Sequence, residues 1–155
     1  MADEATAEIV IGAGRGAIMN VIADFAAYPE WAHYVTRAEV VEWGVHGRAH
    51  RVRFVLDAGM IKDEYTLEYD WEDDDAVHWH LVRGRILKEM DGTYALSATP
   101  AGTVVRYRLA VALHIPMPGL VKRQAERVIM DMALRELKRR VESRSAEAGG
   151  PRSDE

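Results

Sequence analysis

The chain of 155 residues contains no cysteine. A disulfide framework and a thiol nucleophile are therefore both excluded. A basic excess is also missing: 20 lysines and arginines stand against 25 aspartates and glutamates, a formal net charge of −5. Phosphate binding needs cations, so no nucleic acid is expected as a partner. No stretch approaches the ~18 apolar residues of a membrane span, so stable membrane insertion is not expected. The start, Met1 to Thr6, is short and acidic and lacks the basic-then-apolar order of a secretory signal. The expected compartment is the cytoplasm. No G-x-S-x-G motif occurs, and the lone Ser97 in a strand pattern carries no information, so no catalytic residue is named by the sequence.

What is present is ordinary globular material: 48% hydrophobic and 29% charged residues. The length fits one domain, long enough to bury roughly 68–70% of its unfolded surface without a metal or disulfide. Thr6 to Ile11 alternate as a short strand. Ile18, Val21, Ile22 and Phe25 recur at helical spacing, and the pattern stops at Tyr28-Pro29 because the residue before proline avoids the α region. A second short helix is expected over about Pro29 to Tyr34.

From there to Ile115 the pattern is strand. The runs are Ala38 to Gly44, His50 to Ala58, Ile61 to Glu72, Ala76 to Arg83, Leu87 to Ala98 and Thr103 to Ile115. Short breaks such as Ala58-Gly59, Asp73-Asp74-Asp75 and Pro100-Ala101-Gly102 imply hairpins and an antiparallel meander. Val52, Phe54 and Leu56 alternate with Arg51, Arg53 and Asp57. Tyr65, Leu67, Tyr69 and Trp71 oppose Glu64, Glu68 and Asp70, and Val105, Tyr107 and Leu109 oppose Arg106 and Arg108. One wet and one dry face describe a sheet covered on one side.

The cover comes last. Pro116 and Pro118 end the final strand, and after Gly119 neither proline nor glycine appears until about Ser143. Val121, Ala125, Val128, Ile129, Met132 and Ala133, continued by Leu137 and Val141, suggest the buried stripe of a helix about 37 Å long. Its Lys138, Arg139 and Arg140 read as cations placed at a helix C-terminus. Residues 1–143 form one expected α+β domain. Residues 144–155, polar and carrying Gly149-Gly150-Pro151, form an expected disordered tail.

Several short segments carry a resemblance. They are Tyr28-Pro29-Glu30-Trp31, Lys62-Asp63, Tyr69-Asp70-Trp71, Leu87-Lys88-Glu89-Met90-Asp91-Gly92-Thr93-Tyr94, Gly102-Thr103-Val104-Val105 and Ile115-Pro116-Met117-Pro118. In this order, over residues 5–142, the chain resembles the polyketide cyclase/dehydrase and lipid-transfer branch of the START/Bet v 1-like (SRPBCC) superfamily, in its actinobacterial form. The resemblance implies a helix-grip fold. A seven-stranded curved antiparallel sheet would wrap a long C-terminal helix, with two short helices after the first strand. It also implies a cavity under that helix for a hydrophobic small molecule. The residues expected to line it are Phe54, Asp63, Tyr65, Leu67, Trp79, Arg83, Tyr94, Tyr107, Val128 and Met132.

Asp63 and Arg83 are the polar members. A hairpin centred on Asp74 pairs Tyr69 with Trp79, Leu67 with Leu81, Tyr65 with Arg83 and Asp63 with Arg85, turning both charges inward. Arg83 then either anchors an acidic ligand group with Asp63 behind it, or forms a half-wet pair at the sheet's rim. His78 and His80 alternate onto the wet face, and no metal is expected there. His33 and His50 stand without an evident partner. Gly12-Ala13-Gly14-Arg15-Gly16-Ala17 matches G-x-G-x-x-A after a strand, but no strand–helix alternation follows. It reads as a turn, and no cofactor is expected.

Three functions fit. The domain binds a lipid, fatty acid or polyketide-like molecule. Alternatively it acts as a polyketide cyclase, aromatase or dehydratase on a poly-β-ketone in the same cavity. As a further alternative, its apolar groove receives a protein partner. An edge strand at Ala7 to Ile11 permits either a monomer or a homodimer.

Overall fold

The computed structural model describes residues 3–58 and 61–149. Seven strands form one antiparallel sheet: β1 (Asp3–Ile11), β2 (Val35–Trp43), β3 (Ala49–Ala58), β4 (Ile61–Glu72), β5 (Ala76–Gly84), β6 (Leu87–Thr99) and β7 (Gly102–Leu113). Their spatial order is β1-β7-β6-β5-β4-β3-β2, so every neighbour except β1–β7 is also a sequence neighbour. After β1 come α1 (Arg15–Ala23), a 3₁₀ turn at Phe25–Ala27 and α2 (Tyr28–Trp31). The long helix α3 (Gly119–Gly149) closes the open face. This is the helix-grip fold.

The elements follow from local chemistry. Pro29 sits in the first turn of α2, where its missing N–H costs nothing. Asp73 adopts φ 50° in the β4–β5 turn, a conformation that aspartate tolerates. Register shifts interrupt the β2–β3, β4–β5 and β6–β7 ladders. Such bulges increase local twist and bend the sheet into a trough.

α3 lies in that trough. Met130, Leu134, Leu137 and Val141 are almost fully buried, at spacings of four, three and four. Each such side chain contributes roughly 1.5–3 kcal/mol on leaving water, so this row sets the helix's rotation. The expected stripe is therefore corrected at its N-terminal end. Val121 and Val128 are exposed, Val128 by 54%, because they lie on the opposite side from that row. The helix also runs on to Gly149, past Ser143, because residues 144–148 include neither proline nor glycine. The rest of the expected tail, residues 150–155, lies outside the described residues, as does Gly59 of the expected β3–β4 turn.

The glycine-rich segment is settled by pairing. β1 runs antiparallel to β7, whereas a dinucleotide-binding unit needs a parallel strand beside it. Gly12 N–H instead donates to Glu142 Oε2 at 2.8 Å, and Ala13 O accepts from Thr103 Oγ1 at 2.7 Å. The turn ties β1 to α3 and β7.

Candidate functional site

A cavity of about 230 Å³ lies between the sheet and α3. A site for one water needs only about 10–15 Å³, so this space is far larger than a packing defect. One wall is aromatic. Phe54 and Tyr65 stack at 5.4 Å across β3 and β4. Trp79, Tyr94 and Tyr107 form a second group across β5, β6 and β7, with ring centroids 4.7–5.9 Å apart. Leu67 lies between these groups, and Ala125, Ile129 and Ala133 of α3 face them.

The residues expected from the sequence divide cleanly. Phe54, Asp63, Tyr65, Leu67, Trp79, Tyr94 and Tyr107 all line the cavity. Arg83, Val128 and Met132 do not. Val128 faces away, and Met132 flanks the inward face of α3 without reaching the space.

Arg83 is displaced by one residue. Tyr69 pairs with Trp79 and Leu67 with Leu81, as the hairpin demands. A bulge follows, and Thr66 pairs with Arg83 while Tyr65 pairs with Gly84. One extra residue, Val82, sends every later side chain of β5 to the other face. Arg83 is therefore exposed on the outer surface. Gly84 makes the new pairing possible, since a Cβ there would stand 3.3 Å from that of Tyr65 and 3.1 Å from Leu87 O.

Asp63 does point inward and is only 3% exposed, but its partners are backbone amides. Oδ1 accepts from Glu64 N–H at 2.7 Å and Arg85 N–H at 2.9 Å. Oδ2 accepts from Ile86 N–H at 3.1 Å and Leu87 N–H at 2.9 Å. Four donors satisfy the carboxylate and hold the β5–β6 connection closed at the cavity's edge.

The tyrosines contribute neutral hydroxyls. Burial pushes Tyr65, Tyr69, Tyr94 and Tyr107 well above their ordinary value of 10, and neighbouring tyrosines add to this for the first three. Tyr28 is raised in the same way, and its O–H donates to Ile22 O at 2.5 Å. The other four hydroxyls make no hydrogen bond within the described residues. They stand as free donors and acceptors along an apolar wall.

The helical side holds polar groups that strand alternation did not reveal. Lys122, Glu126 and Glu136 all line the cavity, and the two glutamates are 6% and 8% exposed. Glu136 Oε1 accepts from His33 N–H at 3.2 Å, and Oε2 bonds the His33 ring at Nδ1. Arg140 donates to Glu30 at 3.0 Å. These contacts clamp α2 and the start of β2 against α3, so that Tyr28, Trp31 and Tyr34 close one side of the cavity. Among the described residues, Trp31 Nε1 is buried there without a hydrogen-bond partner. His33 thus has a partner that sequence spacing could not place. Stepping back by fours from the buried Leu134 and Met130 lands on Glu126 and Lys122, a register that is visible once that row is placed.

His78 bonds Thr93 Oγ1 at 3.0 Å and Glu72 at 2.6 Å on the outer face, and His80 is exposed. Trp71 packs beside Phe25 and Tyr69, donates to Ala49 O at 2.8 Å and does not line the cavity. No helix among the described residues is long and apolar enough to cross a membrane.

Comparison with known proteins agrees with this architecture. The family model described as polyketide cyclase / dehydrase and lipid transport matches residues 2–142. No curated protein matches the sequence. A START superfamily protein from Mycobacterium smegmatis superposes with a TM-score of 0.83 at 17% identity, covering 90% of this chain and 97% of that one. The Zhui aromatase/cyclase from Streptomyces sp. R1128 gives 0.82 at 15% identity, with 97% and 99% covered. A protein from Thermus thermophilus gives 0.77 at 24% identity, with 92% and 99% covered. At these identities the likeness is one of fold.

Proposed function

We propose that this chain, which belongs to the polyketide cyclase / dehydrase and lipid transport family, binds a hydrophobic small molecule between its sheet and α3. The observation that carries this is the unfilled space itself. About 230 Å³ stays open although aromatic and aliphatic side chains surround it. Well-packed interiors leave few voids larger than a water, and open apolar space forfeits packing contacts that a ligand restores. The volume lies a little below the roughly 300–1,000 Å³ of typical small-molecule sites, which favours a compact ligand. Family membership and the shared fold point the same way.

Native mass spectrometry of the purified protein tests the reading. The expected spectrum shows an adduct of an apolar metabolite that organic extraction removes. No adduct, together with no saturable binding of a small apolar probe, overturns it.

The tyrosine hydroxyls favour a second reading. Neutral Tyr65, Tyr94 and Tyr107 on one wall are suited to hydrogen-bond the ketone oxygens of a poly-β-ketone while the cavity fixes its fold. The similarity to an aromatase/cyclase is consistent with it. Addition of the protein to a polyketide synthase producing an unreduced chain should then shift the distribution of cyclised products. An unchanged distribution removes this reading and leaves binding intact.

A further inference from the structure

Among the described residues, three carboxylates line the cavity: Asp63, Glu126 and Glu136. Asp63 is saturated by four amides, and Glu136 is held by the amide and ring of His33. Glu126 differs. It is 6% exposed, its Oε2 is buried, and no described residue gives that atom a hydrogen bond. Among the described residues its ion-pair partner is Lys122 Nζ, 3.1 Å away and one helical turn earlier, without hydrogen-bond alignment. Buried carboxylate oxygens left without a donor are costly, so this arrangement leaves a bonding capacity unused.

Resting on the cavity-binding reading above, we propose that Glu126 and Lys122 form the polar anchor for a hydroxyl group on an otherwise apolar ligand. The pair is neutral as a unit. A ligand ammonium would meet Lys122 and a ligand carboxylate would meet Glu126, each a like charge in a poorly solvated space. A hydroxyl suits both partners: its O–H donates to Glu126, and its oxygen accepts from Lys122. Alcohols, phenols and enols share this chemistry. Glu136 lies ten residues further along α3, about 15 Å away, so the anchor is separate from the clamp that holds α2.

The test uses an isosteric pair of probes, 2-naphthol and 2-methylnaphthalene, titrated by calorimetry into the full-length protein. Wild type should bind 2-naphthol at least about tenfold more tightly, the value of one hydrogen bond to a charged group. The double variant Lys122→Met/Glu126→Leu removes both charges together, so no buried ion is stranded. It should bind both probes within about twofold of each other. Equal binding of the two probes by wild type overturns the anchor and leaves the cavity reading standing. A preference that persists in the double variant also overturns it. Binding of neither probe by wild type overturns the anchor and, where no native adduct is found either, the cavity reading as well.

Discussion

The indole of Trp79 lies directly across the Cα of Gly92. The two residues pair between β5 and β6, and a Cβ on residue 92 would overlap the Trp79 ring at Cε2, Cζ2 and Nε1. A side chain at 92 would displace the ring that forms one wall of the cavity.

Gly92→Ala is therefore expected to cost about 3 kcal/mol, the upper end of overpacking, because the obstacle is a rigid buried ring. Urea denaturation followed by tryptophan fluorescence measures it. A loss below about 0.5 kcal/mol would mean that the ring has room to move.

Asp63→Ala strands the amides of Arg85, Ile86 and Leu87 at the β5–β6 connection. Three such groups should destabilise by about 3 kcal/mol or more. Hydrogen exchange should locate the loss at residues 85–87, and protection unchanged there would refute the assignment.

Arg83→Ala should leave both stability and probe affinity unchanged, within about 0.5 kcal/mol, because the side chain is on the outer face. The contrast with Asp63 shows what could be read from the residues alone. Alternation along β4 correctly turned Asp63, Tyr65 and Leu67 inward, because a period of two needs no knowledge of partners. The position of Arg83 depended on Val82 being an extra residue in β5, and nothing about a valine announces a bulge. Proline, glycine and apolar spacing were enough for the order of the elements, since those features act locally or over one helical turn, whereas the wrapping of the sheet around α3 came from the resemblance. The polar side of the cavity was missed for another reason. Glu126 and Lys122 look like an exposed i,i+4 pair until the buried row of Met130, Leu134, Leu137 and Val141 fixes which way α3 faces.

Ala133→Trp should fill the cavity from the helical side, since Ala133 lines it opposite the aromatic wall. Probe affinity should fall by at least about tenfold while the fold is kept. Retained affinity would place the ligand elsewhere.

The buried tyrosines give a prediction in pH. Tyr28, Tyr65, Tyr69, Tyr94 and Tyr107 all have raised values, so each favours the folded state fully below 10, where the hydroxyl is neutral in both states. Above 10 the unfolded chain releases these protons first, and stability falls as pH rises. In an alkaline titration, the tyrosinate absorbance of these five should appear only together with loss of near-ultraviolet circular dichroism. Their titration near 10 in a folded protein would contradict the burial described.

Asp3 of β1 pairs with Val111 and Ile11 with Thr103, while Lys138 and Glu142 of α3 bond Val10 and Gly12. β1 is made before the other six strands of its sheet and thus has no partner among them until β7 has been synthesised. The meander β2 to β7 can assemble hairpin by hairpin, but its seam with β1 closes last, across nearly the full chain. Until then one edge of β7 stays open, and that interval is when a nascent chain is most exposed to mispairing with another copy.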